Sequence, residues 1–180
     1  GEKDKPETWS EVSNTMVVNT LMEAIDFRSG TWDADKKPND GYALVKDNTI
    51  AFVWSWLGEG YGILIGRQTN LSIEGNIVAF ANDFGMNNGF GNDKAKLLSN
   101  CFFNNNGGVY RFFDPNNKVT VVEDDPTKFK ATDAKRKYFL NSNSAGNYIQ
   151  DPKLKPDPAF FEKFTNQIKS EGGGKVVWDE

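Results

Sequence analysis

The chain contains no histidine among its 180 residues. This excludes a Ser-His-Asp or Cys-His catalytic site and any imidazole metal ligand. Cys101 is the only cysteine, so neither an internal disulfide nor a thiolate metal cage can form. It follows an apolar pair of leucines, and we expect a small buried side chain there, with a reactive thiol as the alternative. We therefore expect no catalytic residue, no metal and no cofactor.

Long apolar runs and concentrated positive charge are also lacking. No apolar run approaches the ~20 residues that a membrane-spanning helix needs. The net charge is −4 and the basic residues are not clustered, whereas nucleic-acid binding requires a concentrated positive face. We expect no nucleic-acid partner, and contact with a membrane only through an N-terminal lipid anchor that is not part of this chain.

The length and composition are those of a single domain with a real hydrophobic core. Residues 1–7 are predicted to be a flexible charged tether, and residues 8–180 a single globular domain. The acidic, asparagine-rich composition includes 14 phenylalanines and is typical of exported bacterial surface domains. We therefore expect export to the periplasm or cell surface, in the manner of a surface lipoprotein domain.

The spacing of strand and helix signals predicts an α+β fold. Gaps of two to four residues separate the strand signals of residues 42–82, which favours hairpins and an antiparallel β-meander. Flanking helices are predicted at about residues 10–26, 93–104 and 159–170, the last capped by Asp157 with Pro158 in its first turn. A strand over Met16–Leu21 is the alternative to the first helix, and an α/β three-layer fold is the alternative class.

Three further elements are predicted outside the meander. Val109–Phe113 and Val119–Glu123 are typical of a hairpin around an Asp-Pro-Asn-Asn turn. A short strand at Tyr138–Leu140 is expected within a loop-rich region. Lys175–Trp178 is expected to be a final strand.

The stretch from Asn76 to Gly108 has the most specific local pattern. It predicts a buried strand, a glycine-rich loop at Phe84–Gly91 and a capped helix, which is the arrangement in which α/β folds place ligands. The candidate ligand-binding residues of this stretch are Asn82, Asp83, Asn87, Asn88 and Asn92. The alternative is an ordinary tight surface loop, since such loops consist of the same residue types.

A second candidate site is aromatic. In a regular strand Phe52, Trp54 and Trp56 share one face, with Ala51, Val53 and Ser55 on the other. Such a face is a stacking platform for a sugar, with Tyr61 at its edge, or alternatively a part of the core. Trp54, Trp56 and Tyr61 are therefore also candidate ligand-binding residues.

The segment I-V-A-F-A-N-D-F, followed by N-D-K-A-K-L-L-S-N, resembles the late strand–loop–helix unit of glutamine-amidotransferase-like domains. The C-terminal G-G-G-K-V-V-W-D-E is similar to a strand of the same fold. The resemblance covers about 40 residues and implies a noncatalytic accessory copy, because the chain lacks histidine and Cys101 falls inside the predicted helix. No catalytic residue is transferred from it.

Three functions remain open from the sequence. The first is a non-enzymatic exported module that binds a glycan or a protein. The second is a structural component of a surface assembly, which predicts an exposed apolar patch. The third is a carboxylate-dependent glycoside hydrolase, whose candidate residues are Glu59, Glu74, Asp83 and Asp93.

Overall fold

The computed structural model describes residues 9–27, 42–55, 59–66, 70–90, 92, 95–114, 118–124, 144–170 and 176–179. The β-strands in these ranges are β1 (Trp9–Ser13), β2 (Met16–Leu21), β3 (Ile25–Phe27), β4 (Tyr42–Lys46), β5 (Thr49–Trp54), β6 (Ile63–Ile65), β7 (Asn70–Glu74), β8 (Ile77–Ala81), β9 (Phe84–Asn88), β10 (Lys96–Leu98), β11 (Cys101–Phe103), β12 (Gly108–Asp114), β13 (Val119–Glu123) and β14 (Tyr148–Ile149). The helix α1 comprises Pro158–Ile168, and a 3₁₀ helix comprises Val177–Asp179. The tether predicted at residues 1–7 and the strand predicted at Tyr138–Leu140 lie outside the described residues.

From β1 to β12, consecutive strands belong to different sheets. Sheet A has the order β1-β4-β7-β10, sheet B the order β14-β11-β8-β5-β2, and sheet C the order β13-β12-β9-β6-β3. Every third strand therefore returns to the same sheet, where it pairs in parallel with the strand three before it. This is the topology of a parallel β-solenoid, and its four coils are β1–β3, β4–β6, β7–β9 and β10–β12.

The predicted antiparallel meander over residues 42–82 is wrong. Its strand signals correspond to β4 to β8, but β4 pairs with β7 and β5 pairs with β8, both in parallel. The fully described gaps, at Asp47-Asn48 and Gly75-Asn76, are corners that send the chain into the next sheet and not hairpin turns. The α/β alternative shares the parallel pairing, although the described connections between the strands of a coil are turns and not helices. Among the described strands, only β12 and β13 pair in antiparallel, as predicted for a hairpin.

The helices predicted at residues 10–26 and 93–104 are wrong as well. Residues 10–26 form β1, β2 and most of β3, so the alternative strand at Met16–Leu21 is confirmed as β2. In the described part of 93–104, β10 and β11 replace the helix. In both segments the chain bends at a corner every few residues, and each bend changes which residues of the strand face the core. The buried apolar residues are therefore spaced as in a helix.

The hydrophobic core lies inside the coils. Parallel register stacks like residues above one another, as with Val45 and Ile73 in sheet A and Ile50 and Val78 in sheet B. All four of these side chains are fully buried. The backbone N–H and C=O groups of a strand paired on both sides form their hydrogen bonds with the neighbouring strands, so each coil is stabilised by the next.

The corner between sheets A and B has one recurring structure. A left-handed residue precedes an asparagine in successive coils, with φ of +54° at Asp47, +63° at Gly75, +53° at Ser99 and +71° at Gly146. The asparagines that follow are buried and form what we call the asparagine ladder, comprising Asn48, Asn76, Asn100 and Asn147. Left-handed backbone turns the chain sharply, and the buried amide satisfies the polar groups that this turn leaves inside.

Sheet B bends a second time, in the middle of its strands. Phe52 and Phe80 have positive φ, +58° and +55°, and each lies buried on the outer face beside the preceding alanine. Ile50 and Val53 face the inner core. The predicted alternation, with Ala51 opposite Phe52, is therefore wrong, since the left-handed residue places two neighbours on one face.

The helix α1 covers this outer face of sheet B. Its predicted position is confirmed, with Asp157 Oδ1 accepting a hydrogen bond of 3.0 Å from Phe160 N. The rings of Phe52 and Phe80 stack with centroids 5.0 Å apart, and Phe164 meets Phe52 edge-on at 5.3 Å. We call the packed rings of Phe52, Phe80 and Phe164 the aromatic layer. No helix in the described part of the chain is long and apolar enough to cross a membrane.

The predicted C-terminal strand is wrong, because Val177–Asp179 is a 3₁₀ helix. The Trp178 ring packs on Phe80 and its Nε1 donates a hydrogen bond of 2.9 Å to Thr165 Oγ1. Val177 N donates to Asn106 Oδ1 over 3.1 Å. These contacts fix the segment against α1 and the solenoid.

Candidate functional site

A cleft of about 270 Å³ opens between the helix α1 and the outer face of sheet B. It lies where the aromatic layer stops. Phe52 and Phe80 occupy equivalent left-handed positions in the two middle coils. The equivalent residue of the first coil is Asn19, with φ of +56°. The shorter asparagine leaves unfilled the volume that a phenylalanine ring occupies one coil further on, and that volume is the cleft.

The cleft combines ring faces with hydrogen-bonding groups. Its floor is formed by Asn19, Leu21 and Trp54, with Leu21 and Trp54 paired in register across β2 and β5. Its wall is one face of α1 at helical spacing, formed by Phe160, Lys163, Phe164 and Gln167. Apolar walls with a few polar groups at the rim are the usual make-up of a small-molecule site.

Trp54 lies at this cleft as a half-buried residue. It packs against the aromatic layer and also lines the open space, so the core and platform interpretations both describe part of its surface. Phe52 belongs to the core alone, at 5% exposure. Trp56 lies outside the described residues, and of the other two predicted platform residues Trp54 lines the cleft whereas Phe52 does not.

A second group of side chains meets at the corner between sheets B and C. Tyr61, Asp83 and Arg111 come from three successive coils, and we call them the polar corner. Arg111 Nη1 donates a hydrogen bond of 3.1 Å to the Tyr61 hydroxyl, and both side chains lie close enough to the Asp83 carboxylate to lower its pKa. A Cβ at Gly107 would collide with Asp83 Oδ1, so the glycine allows the carboxylate to lie against the backbone of the next coil.

Burial controls the ionisation of the polar corner. Desolvation raises the pKa of Asp83 from 3.8 to about 6, the positive charge of Arg111 lowers it, and the negative charge of Glu59 raises it again. Burial and the charge of Asp83 also raise the pKa of Tyr61, although Arg111 opposes this. The arrangement is a protonated phenol held between a cation and a carboxylate that titrates near neutrality.

Asn88 and Asn92 of the predicted loop have structural roles. Phe84–Asn88 is the strand β9 and not a loop. Asn88 is fully buried, accepts a hydrogen bond from Asn92 N (2.8 Å) and donates to Asn92 O (2.6 Å) and the Tyr110 hydroxyl (2.9 Å). Asn92 Nδ2 donates to Gly66 O over 2.9 Å. Both amides therefore hold the bend after β9 against its neighbouring coils.

Asn82 and Asn87 differ from these, because each has a buried Oδ1 atom without a hydrogen-bond partner among the described residues. Asn82 Nδ2 donates to Ser55 O over 3.3 Å, beside the polar corner. Asn87 is 5% exposed and lies in register with Arg111 on sheet C. Of the predicted loop residues, only Asn82 and Asp83 lie at the polar corner with Tyr61.

The four candidate carboxylates do not form one group. Glu59 acts on Asp83, whereas Glu74 lies on sheet A, where it accepts a hydrogen bond from Ser72 Oγ, and Asp93 lies outside the described residues. Within the described ranges no three acidic or cysteine side chains are placed to hold a metal ion. Cys101 is buried at 3% exposure, as expected, but in a strand, and burial raises the pKa of its thiol.

Sequence reasoning missed Asn19, Leu21, Lys163, Gln167 and Arg111 as site residues. The i, i+4 spacing of Lys163 and Gln167 places them on one face of α1 beside Phe160 and Phe164, and this signal was present in the chain. Nothing local indicates that this face of α1 meets β2 and β5. Comparison with protein-family models, with curated proteins and with solved structures gives no match.

Proposed function

We propose that this protein is a non-catalytic glycan-binding module of an exported bacterial protein, and that the cleft between β2, β5 and α1 holds the sugar. The cleft itself carries the proposal, because Trp54, Phe160 and Phe164 line one open space together with the amides of Asn19 and Gln167. Aromatic faces pack against the C–H faces of a sugar ring, while side-chain amides hydrogen-bond its hydroxyls.

The size of the cleft supports a small ligand. Its volume of about 270 Å³ is near the lower limit of small-molecule sites, roughly 300–1,000 Å³. One or two sugar rings fit such a space. A chain of sugars would extend from it over the exposed outer side of β2, where Val18 and Leu21 are 43% and 40% exposed.

Titration calorimetry and tryptophan fluorescence with a panel of oligosaccharides test this proposal. We expect a binding glycan to change the emission of Trp54, and Trp54→Ala to abolish that binding. Because Trp54 also packs on the aromatic layer, Gln167→Ala provides a second variant at the rim, and it should weaken binding without unfolding the protein. Gln150→Ala is the matched control, since Gln150 is exposed outside the cleft.

A glycan that binds both Trp54→Ala and Gln167→Ala with full affinity would contradict the assigned site. If no glycan on the panel binds, the glycan-binding function is wrong, and a protein ligand or a structural role in a surface assembly replaces it. Pull-down with candidate partner proteins then distinguishes those two.

Carboxylate-dependent glycoside hydrolysis is the second candidate function, favoured by the state of Asp83. A carboxyl group whose pKa is raised to about 6 suits general acid–base work near neutral pH, and Glu59 supplies a second carboxylate close enough to affect it. Asp83→Asn should abolish turnover on a panel of aryl glycosides, whereas Glu74→Gln on sheet A should not. Absence of turnover by the unmodified protein would rule this function out.

A further inference from the structure

Lys163 is the only charged side chain among the described residues that line the cleft. It projects from the exposed part of α1 one turn from both Phe160 and Gln167. The other six lining residues are apolar, aromatic or neutral amides. A single cation therefore sets the electrostatic character of the cleft opening.

No carboxylate in the described part of the chain forms an ion pair with Lys163. Among the described lysines, Lys153 pairs with Asp151 at 2.9 Å and Lys46 pairs with Asp47 at 3.8 Å. Lys163 is exposed without such a pair. Within the described residues its ammonium group is therefore accessible to an anionic group of a ligand in the cleft.

We propose that the cleft selects an acidic sugar, whose carboxylate or sulfate group binds the Lys163 ammonium while its ring packs on Trp54 and Phe160. This inference rests on the proposed glycan-binding function and adds the chemical class of the ligand. The ring contact supplies apolar area and the ion pair supplies discrimination, because a neutral sugar leaves the ammonium without its counter-charge.

Matched hexasaccharides test this selectivity by calorimetry at low salt. The probes are β-1,4-linked and β-1,3-linked glucose hexamers, each with C6 as the free alcohol, oxidised to a carboxylate, or carrying a sulfate ester. We expect the acidic form of at least one backbone to bind roughly two- to fivefold more tightly than its neutral form, as one exposed charge-assisted contact supplies. A carboxylate preference indicates a uronic acid and a sulfate preference indicates a sulfated glycan.

Lys163→Gln should remove this preference while leaving the affinity for the neutral form unchanged. Lys96→Gln is the matched control, because it makes the same change of charge at an exposed position on sheet A and should leave the preference intact. The preference should also decline as salt is added, since the contact is solvent-accessible.

The outcomes separate this inference from the function on which it rests. Equal binding of neutral and acidic forms, unchanged by Lys163→Gln, would overturn the acidic-sugar inference and leave glycan binding in place. An acidic preference that persists in Lys163→Gln but is lost in Lys96→Gln would also overturn it, by moving the charge contact to sheet A. If no hexamer binds and no glycan of the wider panel changes the tryptophan fluorescence, both the acidic-sugar inference and the glycan-binding function are rejected.

Discussion

The amide of Asn76 serves four polar groups at once in the interior of the solenoid. Its Oδ1 accepts hydrogen bonds from Asn48 N and Asn48 Nδ2, and its Nδ2 donates to Val45 O and Asn100 Oδ1. Their lengths are between 2.9 and 3.1 Å, and Asn76 has no exposed surface. Removal of this side chain leaves buried donors and acceptors without partners at a place that water cannot reach.

We therefore expect Asn76→Ala to lower the free energy of unfolding by about 3 kcal/mol, because Asn48 N and Val45 O are left unsatisfied. Urea denaturation followed by circular dichroism measures this. Asn166→Ala on the exposed side of α1 is the control and should change stability by less than about 0.5 kcal/mol. Similar values for the two variants would show that the ladder adds no stability.

Asp83 makes stability depend on pH in the direction opposite to that of most paired carboxylates. Its folded pKa of about 6 lies above its ordinary value of 3.8, so the folded state holds the proton more tightly than the unfolded state. The free energy of unfolding should therefore fall as pH rises from about 4 to about 6 and be level above about pH 7. Because Asp83 is only half-buried and solvent screens its charge, we expect the fall to be roughly 1–2 kcal/mol.

Chemical denaturation between pH 4 and pH 8 measures this dependence. Asp83→Asn should remove the decline, since an amide does not titrate. Other carboxylates titrate in the same range, so the quantity to compare is the difference between the two proteins at each pH. A difference that does not vary with pH would show that Asp83 titrates alike in the folded and unfolded states.

The residue scale also shows why sequence reasoning assigned the asparagines only in part. Asn-rich stretches are typical of surface loops, and the same residue type also fits a buried corner where a side chain must both donate and accept. Asp83 was singled out as a polar residue at a strand end, and it does lie there. Its partners Tyr61 and Arg111 come from other coils, so no local pattern could connect them.

At the scale of elements, α1 is attached to the solenoid through one face. Phe164, Thr165 and Ile168 are its buried residues, and Phe164 contacts Phe52 and Trp178 with ring centroids 5.3 and 6.1 Å away. The coils have their own core, separate from the aromatic layer. Loosening α1 should therefore leave the coils folded.

Phe164→Ala should release α1, because deleting a buried phenylalanine ring costs about 3–5 kcal/mol and here only the attachment of one helix is at stake. Hydrogen exchange monitored by mass spectrometry should show lost protection in residues 158–168 and unchanged protection in β5 and β8. Glu162→Ala on the exposed side of the same helix is the control. Equal loss of protection in helix and strands would mean that the two cores unfold together.

The positions of many elements were predictable, but their partners were not. The strand signals at β4, β5, β7 and β8 and the helix signal at α1 follow from local apolar patterns and from the Asp157-Pro158 start. Pairing was predicted from gap length, and a gap of two residues is usually a hairpin. Here the gaps Asp47-Asn48 and Gly75-Asn76 are left-handed corners, a distinction that depends on the buried amide and not on the number of residues.

At the scale of the whole molecule, a strand at the end of the solenoid has fewer neighbours than a strand in the middle. In sheet B, β8 is paired on both sides by β5 and β11, whereas β2 is paired by β5 alone among the described strands. On its outer side β2 exposes Met16 to 72%. A stack in which each coil contacts only its neighbours is expected to open from its ends.

Amide hydrogen exchange should therefore show a gradient along sheet B, with Val78 in β8 protected longer than Val18 in β2. The measurement is residue-resolved exchange by NMR under native conditions, with the central strand as internal reference. Equal protection of both strands would indicate that all coils open in a single cooperative step.

The solenoid repeat was present in the sequence but irregular. The stretches D-N-T-I-A-F (residues 47–52) and G-N-I-V-A-F (residues 75–80) share one pattern, in which a phenylalanine follows the asparagine by four residues and the residues between are mostly apolar. Successive ladder asparagines are 28, 24 and 47 residues apart. Such unequal spacing conceals a repeat that a fixed period would reveal.

The asparagine ladder has a direction, since the Nδ2 of Asn48, Asn76 and Asn100 each donates to the Oδ1 of the next ladder asparagine. At its start, Asn48 Oδ1 accepts from Thr15 N. The segment from one ladder residue to the next, such as residues 49–76, thus brings with it everything that its junctions require. A gene that duplicated this segment in tandem would encode a longer protein with both new junctions already satisfied. By this route a lineage can lengthen or shorten the molecule one coil at a time.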